Sequence, residues 1–197
     1  MRDNPGHIPS DSCTGLPYAR AMTWFCVDVE ANGPAPGLYS MTSFGVVAIR
    51  GELNETFYAE LKPLPNAGCI PEALAIGGMS MEYLETEGRE ITEAMTELAD
   101  WLKSVSSGRA VLVSDNNGFD AMFMAYYFAH AGLENPFGFS SRRIGDLYSG
   151  LKGDSFKASE WKKLRTTDHT HNALDDAIGN AEAVLAIADM GLKIPKK

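Results

Sequence analysis

The sequence predicts an α/β domain: a mixed sheet with helices packed on it. Three observations lead there. Strand-like apolar runs separated by Gly and Pro come first, and helical stripes alternating with a short apolar run follow; that order suits helices laid on a sheet. The chain has 197 residues, enough for one domain with a sizeable core. No internal repeat or linker divides it.

Trp24 to Val29 is almost wholly apolar and rich in strand formers, so it reads as a central strand buried on both faces. Asn32-Gly33-Pro34 and Pro36-Gly37 make the loop after it. Ser43 to Ile49 and Thr56 to Leu61 are two further strands. The short Arg50-Gly51-Glu52 connection makes them a hairpin. Residues 63–71 are irregular, and a short helix covers Glu72 to Ala75 before the Gly77-Gly78 break. Ile91, Ala94, Met95, Leu98, Trp101, Leu102 and Val105 form a helical stripe. Ala110 to Val113 is a short buried strand. Phe119 to Ala131 is a helix closed by Gly132. Gly138 to Asp146 has mixed character, and Trp161 to Thr170 is basic and polar. Ala173 to Met190 is the last helix, ended by Gly191 and Pro195. Its core stripe is read as Leu174, Ala177, Ile178, Ala181, Val184, Leu185 and Ala188.

Residues 1–21 are rich in Pro, Gly, Ser and Asp without periodicity, so they are expected to be a disordered extension, with the folded domain spanning 22–197. They lack the apolar core of a secretory signal. No apolar stretch approaches the roughly 20 residues of a membrane helix. Cys13, Cys26 and Cys69 form no CxxC pair, and Cys26 lies in the first strand. A reduced core thiol and a cytoplasmic setting are therefore expected. The formal net charge of −9 argues against a protein that coats long nucleic acid, which requires many basic contacts to phosphate. It leaves room for an enzyme that holds a short substrate end, because bound divalent cations reverse the local charge.

The candidate chemistry lies in three acidic segments. Asp28-Val29-Glu30 ends the first strand, and residues two apart on a strand project from one face, roughly 6.5–7 Å apart. Two such carboxylates repel unless a hard cation lies between them. Asn116-Asn117-Gly118-Phe119-Asp120 follows the Ala110–Val113 strand. Asp120 there sits in the first turn of a helix, where an acid also complements the helix dipole. The third segment runs from His171 through Asp175 and Asp176 to Ala177. Asp175 shares a helix face with Glu182 and Asp189, whereas Asp176 falls beside Ala183 and Ile187. Asp176 is therefore the inward acid. His171, on the approach to this helix, suits general acid–base work. His169 is its neighbour, and His7 and His130 have no acidic company; all three are read as structural or surface residues.

These three segments resemble the motifs of the DEDDh 3′–5′ exonucleases, a family that includes the proofreading subunit of bacterial DNA polymerase III, RNase T and oligoribonuclease. Asp28 and Glu30 match its Asp-x-Glu. Asn116, Phe119 and Asp120 match its second motif. His171, Ala173, Asp176 and Ala177 match its His-x-Ala-x-x-Asp-Ala. The resemblance spans Thr23 to about Ala188. Asp115 stands where relatives often carry His, and Ala31-Asn32-Gly33 stands where they often carry Thr-Thr-Gly.

The resemblance implies an RNase H-like fold with a mixed five-stranded sheet flanked by helices. It implies two Mg²⁺ or Mn²⁺ ions per active site, held by Asp28, Glu30, Asp120 and Asp176, with His171 as general base and nucleoside 5′-monophosphates as products. Ala31, Asn32, Met79, Asn116 and Phe119 are the residues it brings toward substrate, with Phe119 also suited to the core. Lys157, Lys162, Lys163 and Arg165 around Trp161 are candidates to steer a single strand, although a solvated loop around a packed Trp is the commoner case. Arg142-Arg143 is a weaker candidate for phosphate contact. The expected partners are single-stranded RNA or DNA 3′ ends and short oligonucleotides, with RNA favoured by the likeness to RNase T and oligoribonuclease. No membrane is expected, and several such relatives are homodimers. The alternatives are a DNA-directed exonuclease, a non-catalytic nucleic-acid-binding module on the same fold, and another carboxylate-rich hydrolase such as a phosphatase.

Overall fold

The computed structural model describes residues 21–195. Apart from Ala21, the expected N-terminal extension lies outside them, as do His7 and Cys13. Five strands form one sheet: β1 (Met22–Ala31), β2 (Met41–Ala48), β3 (Thr56–Glu60), β4 (Arg109–Ser114) and β5 (Ser141–Arg143). Their order is β3-β2-β1-β4-β5. β1 is central, antiparallel to β2 and parallel to β4. β2 and β3 form the expected hairpin, and β5 adds in parallel to β4. The helices are α1 (Pro71–Ile76), α2 (Met81–Glu87), α3 (Ile91–Val105), α4 (Asn117–His130), α5 (Ile144–Lys152) and α6 (Ala173–Asp189). Two short 3₁₀ turns cover Ser155–Lys157 and Glu160–Leu164.

The sheet is buried on both faces, and alternation along β1 decides which residue serves which side. Phe25, Val27 and Val29 join the core beneath α3 and α4. Trp24 and Cys26 join the opposite core, with Ala177, Val184 and Ile187 of α6. Asp28 and Glu30 continue the Trp24–Cys26 row, so both acids emerge on the α6 face at the end of an apolar strand. Cys26 is fully buried and unpaired, as expected.

Close approach of α6 depends on Gly45. Gly45 lies directly opposite Asp28 in the β1–β2 register. A Cβ there would come within 2.3 Å of the Ala173 carbonyl oxygen. The missing side chain lets the first turn of α6 settle over the acid pair.

Three expectations need correction. α2 was not anticipated; it has only seven residues, and Ser80 caps it by accepting from the Tyr83 N–H. α5 fills part of the segment read as mixed, anchored by Ile144 and Tyr148 and closed by Gly153 in the left-handed conformation. The buried face of α6 is broader than the expected stripe and shifted from it: Ala177, Ala181 and Val184 are buried as expected, Ala173, Asp176, Asn180, Ala183 and Ile187 are buried beside them, and Leu174, Ile178, Leu185 and Ala188 are only half-buried. The helix packs on both β1 and β2, so a polar Asp–Asn row takes the inner edge. Among the described residues, no helix is long and apolar enough to cross a membrane.

Candidate active site

Asp28, Glu30 and Asp176 converge, each offering a carboxylate oxygen within 4.8 Å of the others. β1 supplies two of them and the first turn of α6 the third. Asp176 is fully buried, as its helix position predicted. Burial pushes the Asp28 carboxyl well above the usual range, and Asp120, Glu30 and Asp176 add to this against the pull of Arg165. Burial, with Asp176 beside it, raises Glu30 to about 7. Acids whose joint ionisation is opposed by burial and mutual repulsion, with oxygen donors only, fit a hard divalent cation, which relieves the repulsion and takes the ionised forms.

Asp176 behaves differently. Burial alone would raise its pKa, but Arg165 and His169 outweigh it and hold the carboxyl below its ordinary value. Its Oδ1 accepts from Arg165 Nη2 at 2.7 Å and from the Thr170 amide at 3.2 Å. Its Oδ2 accepts from the His171 amide at 3.0 Å and lies 2.8 Å from His169 Nδ1. The carboxylate thus ties down the segment leading into α6. His171 takes a left-handed φ of 59° within it. Asn172 then caps the helix through the Leu174 and Asp175 amides. In this turn, His171 Nδ1 stands 3.9 Å from Glu30 Oε1. The expected base is therefore beside the carboxylates and half-exposed.

Asp120 is buried, and its Oδ1 accepts from the Val29 amide at 3.2 Å. Burial raises it to about 8, against the Ser114 and Val29 hydrogen bonds. It influences Asp28 but stands outside the tight group of three. One of its oxygens is committed to the strand that carries Asp28 and Glu30.

The remaining expected residues divide. Met79 lines a cleft of about 550 Å³ with His171, Tyr58, Glu60 and Tyr83. Asn116 is exposed at the start of α4, its carbonyl accepting from the Phe119 and Asp120 amides. Phe119 packs against Phe123 with ring centroids 4.6 Å apart, consistent with its core reading. Ala31 packs against the core at the strand end.

Asn32 is a correction. It is fully buried, its Oδ1 accepting from the Ser40 amide at 2.7 Å and its Nδ2 facing Met81 Sδ. It braces the loop internally and offers substrate nothing, because both ends of its amide are committed.

Two residues contact Asp176 in ways the sequence did not show. His169 touches Asp176 and stacks edge-on with His171, ring centroids 4.3 Å apart. Arg165, grouped with the surface cations, is the partner of Asp176, with a side chain only 10% exposed. A buried carboxylate needs a cation, and that requirement was the available signal. Gly179 makes room for Arg165, since a Cβ there would lie 2.5 Å from its Nε. Trp161 is fully buried, so it packs as the commoner reading held. Arg142 lies over the Trp24 ring. A second cleft, of about 270 Å³, joins Asp28, Arg165 and His169 to Asp115 and Lys162, which pair at 2.6 Å. A larger cleft of about 880 Å³ lies at Ile49, Leu185 and Leu192, with Arg50, Asp189 and Lys193 on its lining, but among the described residues it holds no group of three metal-ligating side chains, so size does not mark the site.

Residues 23–188 match the model of the 3′–5′ exoribonuclease Rv2179c-like domain. The 3′–5′ DNA exonuclease Cap18 of Escherichia coli is 35% identical over 164 residues, covering 79% of this chain and 86% of that protein. Among solved structures, the nuclease domain of 3′hExo, a DEDDh family member bound to rAMP, superposes with a TM-score of 0.71 at 17% identity, over 89% of this chain and 96% of that one. The zinc-bound complex of E. coli ExoI with single-stranded DNA superposes with a TM-score of 0.67 at 16% identity, over 87% of this chain and 41% of that one. The architecture is the RNase H-like one shared with these exonucleases.

Proposed function

The chain belongs to the 3′–5′ exoribonuclease Rv2179c-like domain family, a family of 3′–5′ exonucleases, and from that premise we propose how its residues carry the reaction. Asp28, Glu30 and Asp176 hold a divalent cation, and Asp28 with Asp120 serves a second. Mg²⁺ or Mn²⁺ suits these oxygen donors. When bound, such ions supply Lewis-acid stabilisation of charge developing on a phosphodiester.

The protein's own groups do the rest. Arg165 and the Thr170 and His171 amides keep the Asp176 carboxylate ionised and oriented. His171, half-exposed beside Glu30, takes the proton of the attacking water as general base. The cleft of Met79, Tyr58 and Tyr83 beside His171 receives the terminal nucleoside, and each turnover releases a nucleoside 5′-monophosphate. Residues from 22 onward act as one exonuclease domain. The observation that carries this reading is the meeting of three carboxylates from two elements, with an imidazole 3.9 Å from one of them.

The substrate is the 3′ end of a single strand. The family description supports RNA; the name of the E. coli relative supports DNA as the second reading. The experiment uses 5′-labelled and 3′-labelled RNA and DNA oligomers of one sequence, with Mg²⁺, Mn²⁺ or chelator. Stepwise shortening from the 3′ end is expected with metal and none with chelator, faster on RNA. Asp28→Asn and Asp176→Asn should each lower the rate by at least a hundredfold while remaining folded. Either variant cleaving at the parent rate would overturn the assignment.

A further inference from the structure

His169 has no part in the chemistry just described, yet it stands at the centre of a second donor set. His169, His171 and Asp176 each present a ligand atom within 4.8 Å of the other two. The imidazoles lie edge to face, ring centroids 4.3 Å apart. Their side chains are 56% and 44% exposed, so an ion can reach them from solvent, whereas Asp176 is fully buried. Asp176 is fixed by Arg165 on Oδ1 and by the His171 amide on Oδ2. The anchor is therefore rigid, and the two rings need only rotate.

The two donor sets differ in kind. Asp28, Glu30 and Asp176 offer oxygen alone and select hard cations. Two imidazoles and one carboxylate suit Zn²⁺, which binds nitrogen at about 2.0–2.1 Å and carboxylate oxygen at about 2.0–2.2 Å. A tetrahedral ion with such bonds places its donors roughly 3.3 Å apart, so the 4.8 Å group must draw in by about 1.5 Å, a movement within reach of the two exposed imidazoles.

We propose that His169, His171 and Asp176 form an inhibitory site for a borderline-soft divalent cation of the Zn²⁺ class. The inhibitory part rests on the roles given to Asp176 and His171 above. An ion held there pins the His171 ring, removing the base, and engages Asp176, which the oxygen-only site also needs. Occupation of one site therefore opposes occupation of the other.

The test uses the full chain, stripped with chelator, and the His169→Ala and His169→Gln variants. Gln can still donate to Asp176 but is a poor zinc ligand. Co²⁺ absorption and Zn²⁺ calorimetry read the site without any need for hydrolysis. The parent should bind Zn²⁺ at least tenfold more tightly than either variant. In the oligomer assay at fixed Mg²⁺, the Zn²⁺ concentration for half-inhibition should rise at least tenfold in both variants, each compared with its own zinc-free rate. Asp28→Asn should retain the Co²⁺ spectrum, because it lacks only the oxygen-only site. Binding that depends on His169 in a chain that cuts no oligomer supports the metal site while sinking the exonuclease reading. Zn²⁺ affinity or half-inhibition unchanged in both variants overturns the proposal.

Discussion

Asp176 and Asp28 are close neighbours with opposite electrostatics. Burial raises Asp28 among like charges, while Arg165 and His169 hold Asp176 low. The pair Arg165–Asp176 is buried on both sides. Breaking such a pair leaves an uncompensated charge, a loss of about 3–5 kcal/mol. Arg165→Met should therefore lower stability by about that much in urea unfolding. The double variant with Asp176→Asn should recover most of it, and a double variant as unstable as Arg165→Met alone would mean that Arg165 acts through packing. His171 makes a different prediction, because its side chain is outside the carboxylate trio. His171→Ala should depress the rate at least a hundredfold while Mg²⁺ affinity, measured by calorimetry, changes less than threefold. An equal loss of metal affinity would make His171 a ligand rather than a base.

At the scale of elements, the site is where β1 and α6 meet, and Gly45 sets their separation. Gly45→Ala brings a Cβ within 2.3 Å of the Ala173 backbone, which no side-chain rotation relieves. The first turn of α6 must shift and carry Asp176 with it. The expected result is a loss of about 1–3 kcal/mol in stability and weakened Mg²⁺ binding. Gly150→Ala is the control, since nothing lies within 4 Å of the added carbon. Equal effects of the two on metal affinity would remove Gly45 from the argument. Elements with a long apolar period were legible: α3 runs from Ile91 to Val105, as its stripe predicts. α2 and α5 were not, because seven or nine residues hold too few turns to display a period and their caps decide them. In α6 the period was legible but its phase only in part: Asp176, Ala177, Ala181 and Val184 are buried as read, while the flank at Leu174, Ile178 and Leu185 is not. Gly179 and Asn180 look like breaks in an apolar face, yet they are buried where Arg165 crosses the helix.

For the whole molecule, the raised carboxylates predict a pH dependence of an unusual sign. Glu30 titrates near 7 when folded and near 4.5 when unfolded, and Asp120 near 8 against 3.8. Between those values the folded state holds more protons, so stability falls as pH rises. The Glu30 contribution is complete below about 4.5 and gone above about 7, on the order of 3 kcal/mol. Asp176 acts in the opposite sense, its contribution present above the usual carboxylate value and lost as pH falls through its lowered one. In chelator, Tm should therefore fall by several degrees from pH 5 to pH 8. Adding Mg²⁺ or Mn²⁺ at pH 8 should restore it, because the cation relieves the repulsion between the ionised carboxylates and binds only the folded chain. A Tm that rises over this range in chelator would contradict the assignment of Glu30 and Asp120 as strained acids.

The chain by itself determined which acids come together. Asp28 and Glu30 share a face because a strand repeats every two residues, and Asp176 rather than Asp175 points inward because a helix repeats every 3.6. Local periodicity is a property of the sequence, so these assignments, the β2–β3 hairpin and the family motifs were legible there, whereas the order of the strands was not. Tertiary structure alone decided what surrounds the acids. Arg165 reaches Asp176 across a loop, His169 joins His171 because that loop turns back, and Asn32 is withdrawn into the core. None of these has a period, since each depends on where non-local backbone brings a side chain and on what must neutralise a charge taken out of water.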